Sequence, residues 1–300
     1  MEDFAITAVR RPPFPRFLSC IRYRDTIVLQ GAPILGAVFA MGGVTADKVA
    51  ALIVFAIASL LLTAHIFALN DWAGVGSDLS DPNKAPGVCL SRGVSRGQLF
   101  FLAVVLLLSS LLLLCFLGAR PFTLALLIAG LSFLYSGPAL AAKGVPLLSS
   151  LTHLVGGELH FLFGYSVFAP LDASSACIAF FFALSFTAGH LTQEARDHDG
   201  DAGNGIKTNA VVFGRSQAFF AGLVLFTVGY AFLFALAIGG FVPRLLSWVV
   251  VAWPLHLYWS LKTIGEGLSF RSVSWLQARY RVLYGLMGVF MVAVLVLGRR

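Results

Sequence analysis

The chain has 300 residues, of which 58% are hydrophobic and 12% charged, and its mean hydropathy is +0.87. That balance lies far outside the range of water-soluble domains and identifies an integral membrane protein. The formal net charge of +7 needs no nucleic acid as partner, because most of the Lys and Arg residues behind it fall on one side of the predicted membrane segments.

The opening stretch, "MEDFAITAVRRPPFPRFLSCIRYRD", is basic but has no apolar core followed by a small-residue cleavage site, so a cleaved signal peptide is not expected. A helical crossing takes about 20 apolar residues. Nine segments approach that length: 27–44, 48–70, 98–118, 121–137, 146–169, 173–194, 216–239, 243–262 and 281–298. Gly and Pro mark the joins, as in "GAPILG", "LGARPF", "SGPAL", "FAPLD" and "IGGFVPR". The expected fold is all-α, a polytopic membrane bundle of nine transmembrane helices around a central cavity. Residues 1–300 are expected to form a single membrane-embedded domain. Cys20, Cys89, Cys115 and Cys177 show neither metal-ligand nor disulfide-framework spacing, and read as apolar filler.

An odd number of spans puts the N-terminus and the joins after the second, fourth, sixth and eighth spans on one side. That side holds Arg10, Arg11, Arg16, Arg22, Arg24, Lys84, Arg92, Arg96, Lys143, Arg196, Lys207, Arg215, Lys262, Arg271, Arg279 and Arg281. The other side keeps only Lys48, Arg120, Arg244, Arg299 and Arg300. The positive-inside rule makes the crowded side cytoplasmic, which places the protein in a membrane such as the bacterial inner membrane, with anionic lipid at its basic face.

Acidic residues share that side. Asp71, Asp78 and Asp81 are expected in a loop after the second span, within "NDWAGVGSDLSDPNK". Glu194, Asp197, Asp199 and Asp201 follow the sixth span, in "GHLTQEARDHDGDAGNGIKTNA". If the sixth span continues helically, the 4, 3 and 4 spacing of His190, Glu194, Asp197 and Asp201 stacks them on one face, with Asp199 pointing elsewhere. Carboxylates so close resist ionisation unless a cation neutralises them. Magnesium, held by one or two carboxylates plus a substrate phosphate, fits two acidic clusters interspersed with basic residues. The phosphate-binding loop G-x-x-x-x-G-K-[ST] is absent from the sequence.

In the fifth span, "LTHLVGGELHFLFGY" puts His153, Glu158 and His160 at membrane depth. His153 and His160 share a face, while Glu158 lies about 160° around from His160. An intramembrane carboxylate is costly and is a functional candidate, here for orienting an acceptor or taking its proton. His65, in the second span, is expected to satisfy an interhelical hydrogen bond.

These motifs resemble the UbiA-type intramembrane prenyltransferases, a family with nine transmembrane helices and two aspartate-rich motifs. The family pattern N-D-x-x-D-x-x-x-D reads here as Asn70, Asp71, Gly74 and Asp78, and its D-x-x-x-D as Asp197 and Asp201. The family's Tyr-Ser-x-Pro followed by a basic residue is matched by Tyr135, Ser136, Pro138 and Lys143 in "YSGPALAAK". Gly74 replaces the middle aspartate of the first motif, which makes Asp81 a candidate substitute ligand.

The resemblance implies transfer of a prenyl group from an allylic polyprenyl diphosphate to an aromatic or lipid-like acceptor within the membrane. It implies Mg2+ held by Asn70, Asp71, Asp78, Asp197 and Asp201. Lys143, Arg196 and Lys207 are expected against the diphosphate, with Arg22 and Lys84 behind them and Tyr135 and Ser136 at the substrate. An allylic cation needs a dry, aromatic-lined cavity, which Tyr135, Phe161, Phe163 and Tyr165 are placed to line. Two alternatives differ in outcome: a membrane terpene cyclase acting on the diphosphate alone, and, more remotely, a cation transporter. A transporter would place ionisable groups near the midplane and show repeated halves, neither of which dominates here.

Overall fold

The structure, a computed structural model, describes residues 20–138 and 141–298, and every regular element among them is helical. Arg10, Arg11, Arg16, Arg299 and Arg300, which enter the charge count, lie outside the described residues. In chain order the helices are α1 (Tyr23–Val28), α2 (Gly31–Ala40), α3 (Ala46–Ser80), α4 (Arg96–Cys115), α5 (Ala119–Ser136) and α6 (Leu148–Tyr165). They continue with α7 (Ala173–Gly203), α8 (Asn209–Phe213), α9 (Arg215–Ile238), α10 (Trp253–Gly265) and α11 (Phe270–Leu297). Six of these, α3, α4, α5, α7, α9 and α11, are long and apolar enough to cross a membrane, so the chain is an integral, multi-pass membrane protein.

The other three expected spans are built differently. The first is broken into α1 and α2, because Pro33 offers no N–H to the carbonyl of Leu29. At the break, the side-chain amide of Gln30 donates to the Thr26 carbonyl and to Thr63 Oγ, both at 3.0 Å. The fifth is α6, an uninterrupted helix of 18 residues despite its glycine pair. The eighth divides into a 3-10 helix, Arg244–Ala252, and α10; Pro254 has no N–H for the Val250 carbonyl, which accepts instead from Trp253.

The largest departure concerns the first acidic motif. The sequence places it in a loop after residue 70, whereas α3 continues to Ser80 and carries the motif on its last turns. Nothing breaks the helix before Pro82, and the residue preceding a proline is pushed out of the α region. Asp81 is accordingly extended, with φ −90° and ψ 112°, and its N–H closes the helix on the Ser77 carbonyl. The second motif is helical as well, on the final turns of α7. Side-chain caps fix several helix starts, among them the reciprocal Ser95–Gln98 and Asp172–Ser175 capping boxes of α4 and α7.

Two apolar cores flank α6. One joins α3, α4 and α5 around Phe55, Leu62, Leu114, Ile128 and Phe163, and the other joins α7, α9 and α11 around Phe161, Phe181, Tyr230 and Met291. His65 crosses between helices to the Ala103 carbonyl at 2.8 Å. α6 and α7 pack closely because Gly157 has no side chain; a Cβ there would lie 2.8 Å from Ala183 Cα and from Phe186 Cβ. The C-terminal ends of α3, α5 and α7 meet at one end of the bundle. Asn70 donates to Ser136 Oγ at 3.1 Å and Asn204 to the Ser77 carbonyl at 3.2 Å.

Candidate active site

At that end lies a cavity of about 340 Å³. Asn70, Asp71 and Asp78 reach it from α3, Tyr135 from α5, and His190, Glu194, Arg196, Asp197 and Asp201 from α7. Arg22, Lys84 and Lys143 enter from the connecting segments, with Asn83 and Arg92 beside them. Helical spacing explains the convergence. Residues 71, 74 and 78 stack along one face of α3, and 190, 194, 197 and 201 along one face of α7.

Lys84 holds the two acidic motifs together. Its Nζ lies 3.1 Å from Asp197 Oδ2, 3.8 Å from Asp81 Oδ2 and 4.0 Å from Asp78 Oδ1. Burial penalises its charge, but the carboxylates of Asp197, Asp201 and Asp78 outweigh that penalty and hold the ammonium above its usual pKa. Arg196 grips both oxygens of Asp197, at 2.6 and 3.0 Å, and donates to Gln277 Oε1 of α11 at 2.6 Å. Arg22 bridges Asp25 at 2.8 Å and Asp71 at 3.4 Å, while Arg281 braces the other oxygen of Asp25 at 2.9 Å.

The donor set suits a hard divalent cation. Asp71, Asp78, Asp197 and Asp201 present carboxylate oxygens to one cavity, and Asn70, which spends its amide N–H on Ser136, keeps its oxygen for a ligand. No group of three His, Cys, Asp or Glu side chains among the described residues is drawn tightly enough to hold a metal by protein ligands alone. The oxygens of a diphosphate would complete such a site.

Several expected residues are placed elsewhere. Asp81 is 3% exposed and does not line the cavity; it accepts from the Asn83 N–H at 2.9 Å and its carboxylate sits against Gly200 of α7, where a Cβ would collide. Lys207 is exposed and outside the lining. Ser136 is buried behind Asn70. Glu158 is half-buried on α6, makes no hydrogen bond or ion pair among the described residues, and stands outside the cavity. Phe161 and Phe163 are fully buried in the two apolar cores. Asp199 points away from the site and pairs with Arg215 and His198.

Other contributors are invisible to motif spacing. Asn209 of α8 donates to Glu194 Oε2 at 2.9 Å and to Ser149 Oγ at 2.9 Å, linking three helices. Cys20 and Cys89, read as filler, are buried in one cluster and both line the cavity. The signal for Glu194 was its place on the acidic face of α7; nothing in the sequence tied Asn209, Cys20 or Cys89 to it.

The sequence model of the UbiA prenyltransferase family matches residues 31–267, most of the chain. The 4-hydroxybenzoate octaprenyltransferase of Yersinia pseudotuberculosis serotype IB (strain PB1/+) is 26% identical over 245 residues, spanning 78% of this chain and 75% of that protein. A UbiA homolog from Archaeoglobus fulgidus bound to GPP and Mg2+ shares the fold, with a TM-score of 0.73 and 16% identity over 93% of this chain and 99% of that one. An apo UbiA homolog from Aeropyrum pernix K1 superposes with a TM-score of 0.70 and 17% identity over 90% of this chain and 98% of that one.

Proposed function

The chain belongs to the UbiA prenyltransferase family, and from that premise we infer that it transfers a prenyl group, with Mg2+, from an allylic polyprenyl diphosphate to an aromatic acceptor of the hydroxybenzoate kind. The observation that carries this reading is the meeting of four carboxylates from α3 and α7 with Lys84, Lys143, Arg22 and Arg196 around one cavity. Such a site binds a polyanion through metal and cation together, which neither acidic motif could do alone. The acceptor class follows the similarity to 4-hydroxybenzoate octaprenyltransferases. We read residues 1–300 as one membrane-embedded catalytic domain with the cavity end of the bundle cytoplasmic, on the distribution of Lys and Arg.

Breaking the carbon–oxygen bond of the allylic diphosphate leaves negative charge on the departing group. Mg2+, when bound, would neutralise that charge as it grows. Asn70, Asp71, Asp78, Asp197 and Asp201 would hold the metal. Lys143 and Lys84 would meet the diphosphate oxygens, and Arg196 and Arg22, hydrogen-bonded to Asp197 and Asp71, orient those carboxylates. Ser136 fixes Asn70. Tyr135 lines the cavity, edge-on to His153 with centroids 4.9 Å apart. Its ring can exclude water and stabilise the allylic cation.

The test is incubation of the purified protein with geranyl and longer prenyl diphosphates, with and without 4-hydroxybenzoate and Mg2+, read by mass spectrometry. A prenylated acceptor formed only with Mg2+ supports the assignment. A cyclic hydrocarbon formed without acceptor replaces it with the cyclase reading.

A further inference from the structure

Beside its charged groups the cavity is lined by the rings of Tyr135 and His190, and one buried carboxylate next to them is not among the proposed metal or diphosphate ligands. Glu194 is 5% exposed. It accepts from Ser149 Oγ at 3.1 Å and from Asn209 Nδ2 at 2.9 Å, and Asn209 is itself anchored by the Leu147 N–H at 2.7 Å. Side chains from two other helices, α6 and α8, thus fix one carboxylate, which is more than packing requires of a charge that costs several kcal/mol to bury.

Glu194 Oε1 lies 3.0 Å from His190 Nε2, an ion-pair distance without full hydrogen-bond alignment, as resting catalytic pairs commonly show. His190 is 6% exposed and lines the cavity. Its ring lies flat on that of His153, with centroids 3.6 Å apart and planes 8° from parallel. His153 is held in turn by its Nδ1, 2.8 Å from the Ser149 carbonyl, and by the edge of Tyr135. With Nε2 turned toward Glu194, Nδ1 is the imidazole nitrogen left for a ligand, and no described residue takes it up.

We propose that His190, oriented by Glu194 and held in plane by His153, is the base that takes the acceptor's proton; this rests on the transferase reading. In the step, an electron pair of the acceptor forms the bond to C1 of the prenyl group, and the C1–O pair leaves with the diphosphate. The proton the acceptor loses passes to His190 Nδ1, and the imidazolium is balanced by the Glu194 carboxylate before the proton reaches water. A carboxylate that orients an imidazole whose other nitrogen faces substrate is a recurrent solution for proton abstraction. Glu158, on another side of α6 and outside the cavity, is not needed for it.

The test uses full-length protein in lipid nanodiscs with geranyl diphosphate, Mg2+ and 4-hydroxybenzoate as probe acceptor. Prenylated acceptor, released diphosphate and geranyl diphosphate affinity are measured separately. His190→Phe keeps a ring against His153; it should lower acceptor prenylation about 100-fold while leaving diphosphate affinity within about twofold. Glu194→Gln keeps the size and the Asn209 contact; it should lower kcat about tenfold, with the acceptor KM held and the pH–rate profile changed. Prenylation by His190→Phe within about twofold of wild type overturns the proposal, and where that variant does not fold, an unchanged kcat and pH profile in Glu194→Gln overturn it. Wild-type protein that cyclises the diphosphate and prenylates nothing removes the transferase reading and the base together.

Discussion

Gly74 and Gly200 decide what the aspartates can do. At Gly74 a Cβ would meet nothing nearer than Asp78 Oδ2, at 3.4 Å, so the absent carboxylate leaves space beside the first motif and breaks no packing. Gly200 is the opposite case, since Asp81 packs directly on its backbone. Asp81 therefore braces α3 against α7, while Asp78, three residues earlier, keeps the ligand role proposed for it. Asp78→Ala should lower magnesium-dependent turnover by about 100-fold, the loss typical of one charge-stabilising group. Asp81→Ala should leave the magnesium dependence in place and lower thermal stability instead. Steady-state kinetics against magnesium concentration, beside a melting curve, separates the two. Gly200→Ala should destabilise the protein by roughly 1–3 kcal/mol through overpacking against the same carboxylate, which thermal unfolding in detergent would register.

The elements carry the site because they outrun their apolar stretches. α3 and α7 keep their helical register past the last hydrophobic residue, so side chains spaced for one face of a helix become one wall of a cavity. α6 contributes by closeness: Gly157→Val should force it away from Ala183, cost about 1–3 kcal/mol and part the His153–His190 stack. A lower melting temperature together with reduced prenylation would show both effects. The long apolar runs made the membrane helices readable, and the spacing of the acidic residues made α7's charged face readable. The helicity of 70–80 was not, because polar composition looked like a loop while only Pro82 supplied a stop. Nor could spacing show Asn209 meeting Glu194, a contact made by the return of α8 onto α6 and α7. The break before Trp253 was hidden by continuous hydrophobicity, although Pro254 stood in the sequence to mark it, and the join at "GAPILG" falls inside the segment 27–44 rather than at its edge.

In the whole molecule, the two acidic helices are already tied before any ligand arrives, through Lys84 to Asp197 and Asn204 to Ser77. Magnesium and diphosphate should therefore tighten an assembled site, and a ligand at 100 times its Kd would add about 2.7 kcal/mol of stability. Magnesium with geranyl diphosphate should raise the melting temperature more than either alone, and EDTA should reverse the rise. The lengths of α3 and α7 have a further consequence. At 35 and 31 residues they extend roughly 52 and 46 Å at 1.5 Å per residue, against a hydrocarbon layer of about 30 Å. Their charged ends are therefore long enough to reach past that layer, and on the proposed transferase reading a lipid-borne substrate would meet the chemistry at the boundary between two phases. Bond cleavage would then sort its own products: the prenyl-bearing half would stay with the oil, the diphosphate would depart into water, and the partition of each away from the other would work against the reverse reaction.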